Sequence, residues 1–190
     1  MTDFYEEEHL TALIDRLYEV GHQMVDGYAD AGADAVIAWE DWGLQDCPLM
    51  SYPLWRSYFY EKMKAFVDHI HARGMKYILH SCGHIVYLLD SFAEMGIDVI
   101  QLDQQLNMGL DTLEKWKDKF CFCCPTDIQH SVRMTEAEME AYLREMNARL
   151  GGPHGGYIFK PYPQPAAIRM PADKLRWELT VASALMPTDP

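Results

Sequence analysis

Near the middle of the chain, His80-Ser81-Cys82-Gly83-His84 places two soft-metal donors two positions apart, directly after an apolar run that reads as a buried strand. At a strand end, residues two apart point the same way, so the His80 imidazole and the Cys82 thiol can meet one ion. Zinc held there would favour the Cys82 thiolate and then lower the pKa of a bound thiol or water. The residues alone leave a second reading open, a packed strand end with a buried cysteine. Oxygen and amide groups recur in equivalent places: Glu40, Asp41, Asp103, Gln104, Asp127 and Gln129 each follow an apolar run. Carboxyl groups converging on one mouth raise one another's pKa, which suits acid–base work or cation binding, whereas the same residues apart would simply cap the next helix. Trp39 and Trp42 bracket the Glu40–Asp41 pair and could offer a flat face to a ligand or pack in the core. Strand alternation sends Cys121 and Cys123 to one face and Phe122 and Cys124 to the other. This cysteine cluster lacks the second CxxC that an iron–sulfur or zinc-ribbon site requires.

These residues need a frame to bring them together, and the sequence supplies a weak repeat. "AGADAVIAWED" (31–41), "RGMKYILHSCG" (73–83) and "MGIDVIQLDQ" (95–104) share one plan. A glycine ends a helix, a short apolar run makes a strand buried on both faces, and polar residues gather where the strand stops. "FCFCCP" (120–125) and "GYIFKPY" (156–162) fit two further strands.

Helical spacing fills the intervals. Residues 5–30 carry Leu10, Leu13, Ile14, Leu17, Val20 and Met24 along one stripe, and residues 53–73 carry Leu54, Tyr58, Phe59, Met63, Phe66 and Ile70. Ser51 and Pro53 suit the start of the second helix. Helices over 84–95, 110–118, 135–150 and 172–186 complete the set, the third opening on a Thr135–Glu138 capping box.

Strands alternating with helices mean a parallel sheet with right-handed crossovers. No GxGxxG or GxxxxGK[ST] turn follows any strand, which removes the usual evidence for a nucleotide fold. Polar clusters after nearly every strand instead suit the active face of a (β/α)8 barrel, of which five strands are only a part.

At 190 residues the chain has the size of one domain, and its 49% hydrophobic content is ordinary for a globular protein. A formal net charge of −13 argues against non-specific nucleic-acid binding and against attraction to anionic membranes. The first ten residues, MTDFYEEEHL, lack a signal-peptide pattern, and no apolar run approaches a membrane span. Five cysteines, an odd number, point to free thiols or ligands rather than a disulfide framework. A cytoplasmic location is the resulting expectation.

Taken in order, "AGADAVIAWEDWG", "LHSCG", "MGIDVIQLDQ", "CPTDIQ" and "GGYIFKPYP" resemble the C-terminal portion of the uroporphyrinogen decarboxylase superfamily, particularly its branch related to cobamide-dependent methyltransferases. The resemblance implies a partial (β/α)8 TIM-type barrel over residues 1–190, equivalent to strands four to eight, with the first three strand–helix units missing; an excised domain, a truncated gene product or a subunit completed by another chain is the expectation. An oligomer is therefore expected. The resemblance also implies that His80 and Cys82 bind zinc, and that a corrinoid protein is the partner in methyl transfer. Methyltransferase-branch members take a further zinc ligand from a cysteine of the last strand, and "YIFKPYPQP" has none. Cys124 is then the expected third ligand, with Glu40 as the alternative; Asp41 beside it also offers a hard oxygen ligand. Glu40, Asp41 and Asp103 are the expected catalytic groups, and Gln104, Asp127, Gln129 and Trp42 the expected substrate contacts. Decarboxylation of a tetrapyrrole carboxylate is the alternative activity on the same fold. A non-catalytic assembly module seeking a partner is the alternative of another class.

Overall fold

Each glycine-ended repeat folds as a helix, a tight turn and a strand. The structure is a computed structural model and describes residues 7–152 and 155–185. Helix α1 (Glu7–Asp30) leads into β1 (Ala35–Trp39). Next come α2 (Tyr52–Trp55), a π-helical segment (Arg56–Tyr60) and α3 (Glu61–Ala72), then β2 (Lys76–His80). A 3-10 turn and α4 (Leu89–Met95) precede β3 (Val99–Gln101), and α5 (Leu110–Leu113) precedes β4 (Cys121–Cys124). Helix α6 (Glu136–Leu150), β5 (Tyr157–Phe159) and α7 (Ala172–Leu185) complete the described residues. The Gly96 cap of α4 has φ 82°, the left-handed conformation that a glycine permits at a helix end.

The five strands form one parallel sheet in the order β1-β2-β3-β4-β5. Strictly sequential order means that every crossover runs the same way, as in a barrel. A doubly wound sheet would reverse direction at a switch point. The fold is thus α/β, a part of a TIM-type barrel. The main core lies between the sheet and its helices, where Tyr77, Leu79, Ile100 and Phe122 meet Val67, Ile70, Phe92 and Leu143. The opposite face is open, leaving Ile37 45%, Trp39 61% and Ile158 46% exposed.

Two details differ from the sequence expectation. The apolar stripe of α1 buries Ile14 but leaves Leu13, Leu17, Val20 and Met24 exposed; α1 packs mainly on α3, and Leu17 borders an open cleft shared with Ala38 of β1. In the helix after Ser51, the π-helical segment adds a residue to one turn and shifts the buried stripe onto Trp55 and Tyr60. Ser51 makes no side-chain cap there, whereas the Thr135–Glu138 capping box is complete. Among the described residues, no helix is long and apolar enough to cross a membrane.

Register sets up the site. Trp39 pairs with His80, His80 with Gln101, Gln101 with Cys123 and Cys123 with Ile158. These five residues form one row across the open face, since residues in register on parallel strands share a side.

Candidate active site

The row just described lies at or next to the strand ends, and the segments beyond it carry Asp41, Cys82, Asp103 and Lys160. Two loops are pinned together above β1 and β2. The Gly43 amide donates to the Cys82 carbonyl (3.2 Å), the His84 amide to the Leu44 carbonyl (2.8 Å), and the Trp42 amide to Ser81 Oγ (3.1 Å). Backbone meets backbone so closely that a Cβ on Gly83 would stand 2.3 Å from Gly43. Gly83 also has φ +79°, so only glycine suits this crossing. The crossing brings Asp41 over the strand end, where its Oδ1 accepts from the Cys82 amide at 2.9 Å.

Asp41, His80 and Cys82 therefore converge, with one ligand atom from each within 4.8 Å of the others. His80 Nε2 lies 3.4 Å from Cys82 Sγ and 3.5 Å from Asp41 Oδ1. Ligands bound at about 2.0–2.3 Å around a tetrahedral ion stand roughly 3.4–3.6 Å apart, so two edges of such a site already have the right length. His80 is 5% exposed, while the Asp41 side chain is open to solvent. Burial, then the neighbouring Asp41 and Asp103 carboxylates, push the Cys82 thiol up to about 12. Without a cation the group is a thiol, and a bound cation would reverse that.

Behind the triad runs a line of buried polar contacts. Gln101 Oε1 faces His80 Nδ1. Gln101 Nε2 donates to Asp103 Oδ1 at 2.6 Å, and Lys160 Nζ lies 3.5 Å from the same oxygen. Trp39 lies against His80, with ring centroids 4.5 Å apart, and Lys160 stands 5.8 Å from the Trp39 centroid.

The remaining candidates separate. Cys124, the expected third ligand, is fully buried in the core on the helix side of β4, and burial drives its thiol well above the ordinary range. Alternation makes Cys123, not Cys124, the inward residue. The third donor group near His80 and Cys82 is that of Asp41. The alternative ligand, Glu40, is turned the other way, accepting from Tyr77 Oη (3.3 Å) and Trp42 Nε1 (3.1 Å). Burial raises its pKa against those two hydrogen bonds. There it borders an apolar cleft of about 420 Å³ beside Tyr18, Phe59 and Phe66.

Trp42 is 7% exposed and packs on Trp55 and Phe59, so the open indole is Trp39. Gln104 accepts from the Gly83 amide (3.1 Å) and steadies the same loop. Asp127 is wholly buried and accepts from the Leu106 and Gln129 amides, tying the β3 and β4 loops. Gln129 exchanges amide hydrogen bonds with Gln45 on the rim. Gln101 and Lys160 are the residues that complete the cluster. Gln101 was legible only as the last position of an apolar strand, two before Asp103.

A family model described as Uroporphyrinogen decarboxylase (URO-D) matches residues 1–161. None of the curated proteins compared with the chain matches it significantly. One similar solved structure, "Crystal Structure of Citrate Synthase SbnG", has 10% identity and a TM-score of 0.48, covering 86% of this chain and 70% of that one. A likeness of that size carries no argument about function.

Proposed function

The chain belongs to the uroporphyrinogen decarboxylase (URO-D) family, and on that premise we propose that it acts as a zinc-dependent methyltransferase-type enzyme in which Asp41, His80 and Cys82 hold the metal. It would work with a corrinoid protein, and with further strand–helix units that complete the barrel. The observation that carries this reading is the convergence of the three donor atoms within 4.8 Å on the open face. One nitrogen, one sulfur and one oxygen donor suit zinc, and three protein ligands leave a position for a reactant, as catalytic zinc sites do.

When bound, zinc supplies Lewis-acid activation of a thiol nucleophile. This chain's own residues do the rest. His80 and Cys82 are fixed by the end of β2, and Asp41 by the Gly43–Gly83 crossing. Trp39 covers one side of the triad with an apolar surface. Lys160, which stands beside Asp103 and Trp39, would orient an anionic portion of the methyl acceptor. Glu40 supports the loop from beneath rather than touching a reactant at the triad.

Metal analysis of protein purified without added zinc tests the proposal. About one zinc per chain is expected, lost in a His80→Ala, Cys82→Ser double variant that still folds. A folded wild type that neither contains nor takes up zinc would sink it. Decarboxylation of uroporphyrinogen, the activity in the family's name, needs no metal; turnover of that compound by chelator-treated protein would favour it instead.

A further inference from the structure

Gln101 joins His80 to Asp103 with every contact inside the protein. It is 1% exposed, Asp103 4% and His80 5%, so water does not compete for these groups. A side-chain amide has two unlike ends, and its neighbours decide which way it points. Gln101 Nε2 lies 2.6 Å from Asp103 Oδ1, and a carboxylate only accepts, so this end must be the NH2. The other end is then the carbonyl oxygen, and it faces His80 Nδ1. A carbonyl cannot donate, so the proton in that contact belongs to Nδ1. A neutral imidazole protonated on Nδ1 carries its lone pair on Nε2. Nε2 is the atom 3.4 Å from Cys82 Sγ and 3.5 Å from Asp41 Oδ1. Lys160, 3.5 Å from Asp103 Oδ1, closes the line at its far end.

We propose that Gln101 is the positioning residue that sets the His80 tautomer, with Asp103 acting through it, so that Nε2 faces Asp41 and Cys82 as an unprotonated donor. Asp103 is thereby a residue that orients the amide rather than one that meets a reactant. The metal-binding consequence rests on the zinc reading above, but the tautomer does not. It follows from amide chemistry and three contacts.

Two measurements separate the claims. Long-range proton–nitrogen NMR of the metal-free, 15N-histidine-labelled protein, taken well above the ordinary imidazole pKa of about 6.5, reports which ring nitrogen is protonated. Wild type is expected to show His80 protonated on Nδ1. Gln101→Met, close in shape but without the amide, should shift His80 substantially to the Nε2–H form. Asp103→Asn should give a mixture, because an asparagine can accept or donate and lets the Gln101 amide invert. It also serves as the second variant should Gln101→Met fold poorly. Zinc affinity, read by competition with a chromophoric chelator, should fall roughly 10–100-fold in Gln101→Met. An Nε2–H tautomer in wild type, or a tautomer unmoved in both variants, would overturn the proposal. The expected tautomers in a protein that binds no zinc would uphold it and overturn the metal reading alone.

Discussion

Cys82 and Cys47 differ in ways that a reagent can read. Cys47 is exposed, whereas burial and two carboxylates push the Cys82 thiol up to about 12. At pH 8 the metal-free Cys82 is then thiolate on the order of one part in ten thousand. Iodoacetamide should therefore label Cys47 first, with Cys82 slower by at least about a hundredfold in peptide mass spectrometry. Equal rates would mean that the Asp41–Cys82 arrangement does not hold in solution. The sequence singled out His80, Cys82 and Asp41 because their types and strand-end positions were visible. It offered Glu40 and Asp41 alike as oxygen ligands; which of them lies beside the pair depends on a loop crossing between residues 43 and 83. It offered Cys124 as a ligand because alternation separates Cys124 from Cys121 and Cys123 without saying which face is inward, and the structure puts Cys124 in the core on the helix side.

At the scale of elements, Asp98 is a clamp. It accepts from Lys76 Nζ (2.8 Å) and the Tyr77 amide (2.9 Å) of β2 and contacts His71 Nε2 (2.8 Å) of α3. Burial pushes its carboxyl up, but Lys76, the Tyr77 amide and His71 together hold it below the ordinary value of 3.8. A folded-state pKa below the unfolded one adds stability above the unfolded value, lost as pH falls through the folded pKa. Asp98→Asn should therefore cost about 1 kcal/mol at neutral pH, a modest sum because solvent screens the pair with Lys76. The difference should vanish in denaturant melts run below the lowered pKa of Asp98. A cost that persists there would show that shape, not charge, matters. Strand and helix positions were largely legible because the glycine stops and the capping box are local. The π-helical segment was not, since its extra residue depends on the packing of Trp55 and Tyr60.

For the whole molecule, the open face and the two free sheet edges are the dominant feature. Among the described residues, β1 and β5 each have one strand neighbour, and Ile37, Trp39 and Ile158 are exposed on the open face. Exposed apolar sheet and unpaired edges favour association. Light scattering is expected to give a mass above the 21.9 kDa of one chain, and an Ile37→Glu, Ile158→Glu variant should lower it. A wild-type monomer with cooperative unfolding at high concentration would argue against a partner on that face.

The order of strands and helices, the strand-terminal clustering of polar groups and the His80–Cys82 pair were properties of the sequence, because periodicity and glycine punctuation act over a few residues. Which donors meet was decided only in three dimensions. A one-residue difference in phase turns Glu40 away and Asp41 toward the site, and hides Cys124 while presenting Cys123. The orientation of Gln101, and through it the free nitrogen of His80, depends on β2 and β3 being laid side by side in one register.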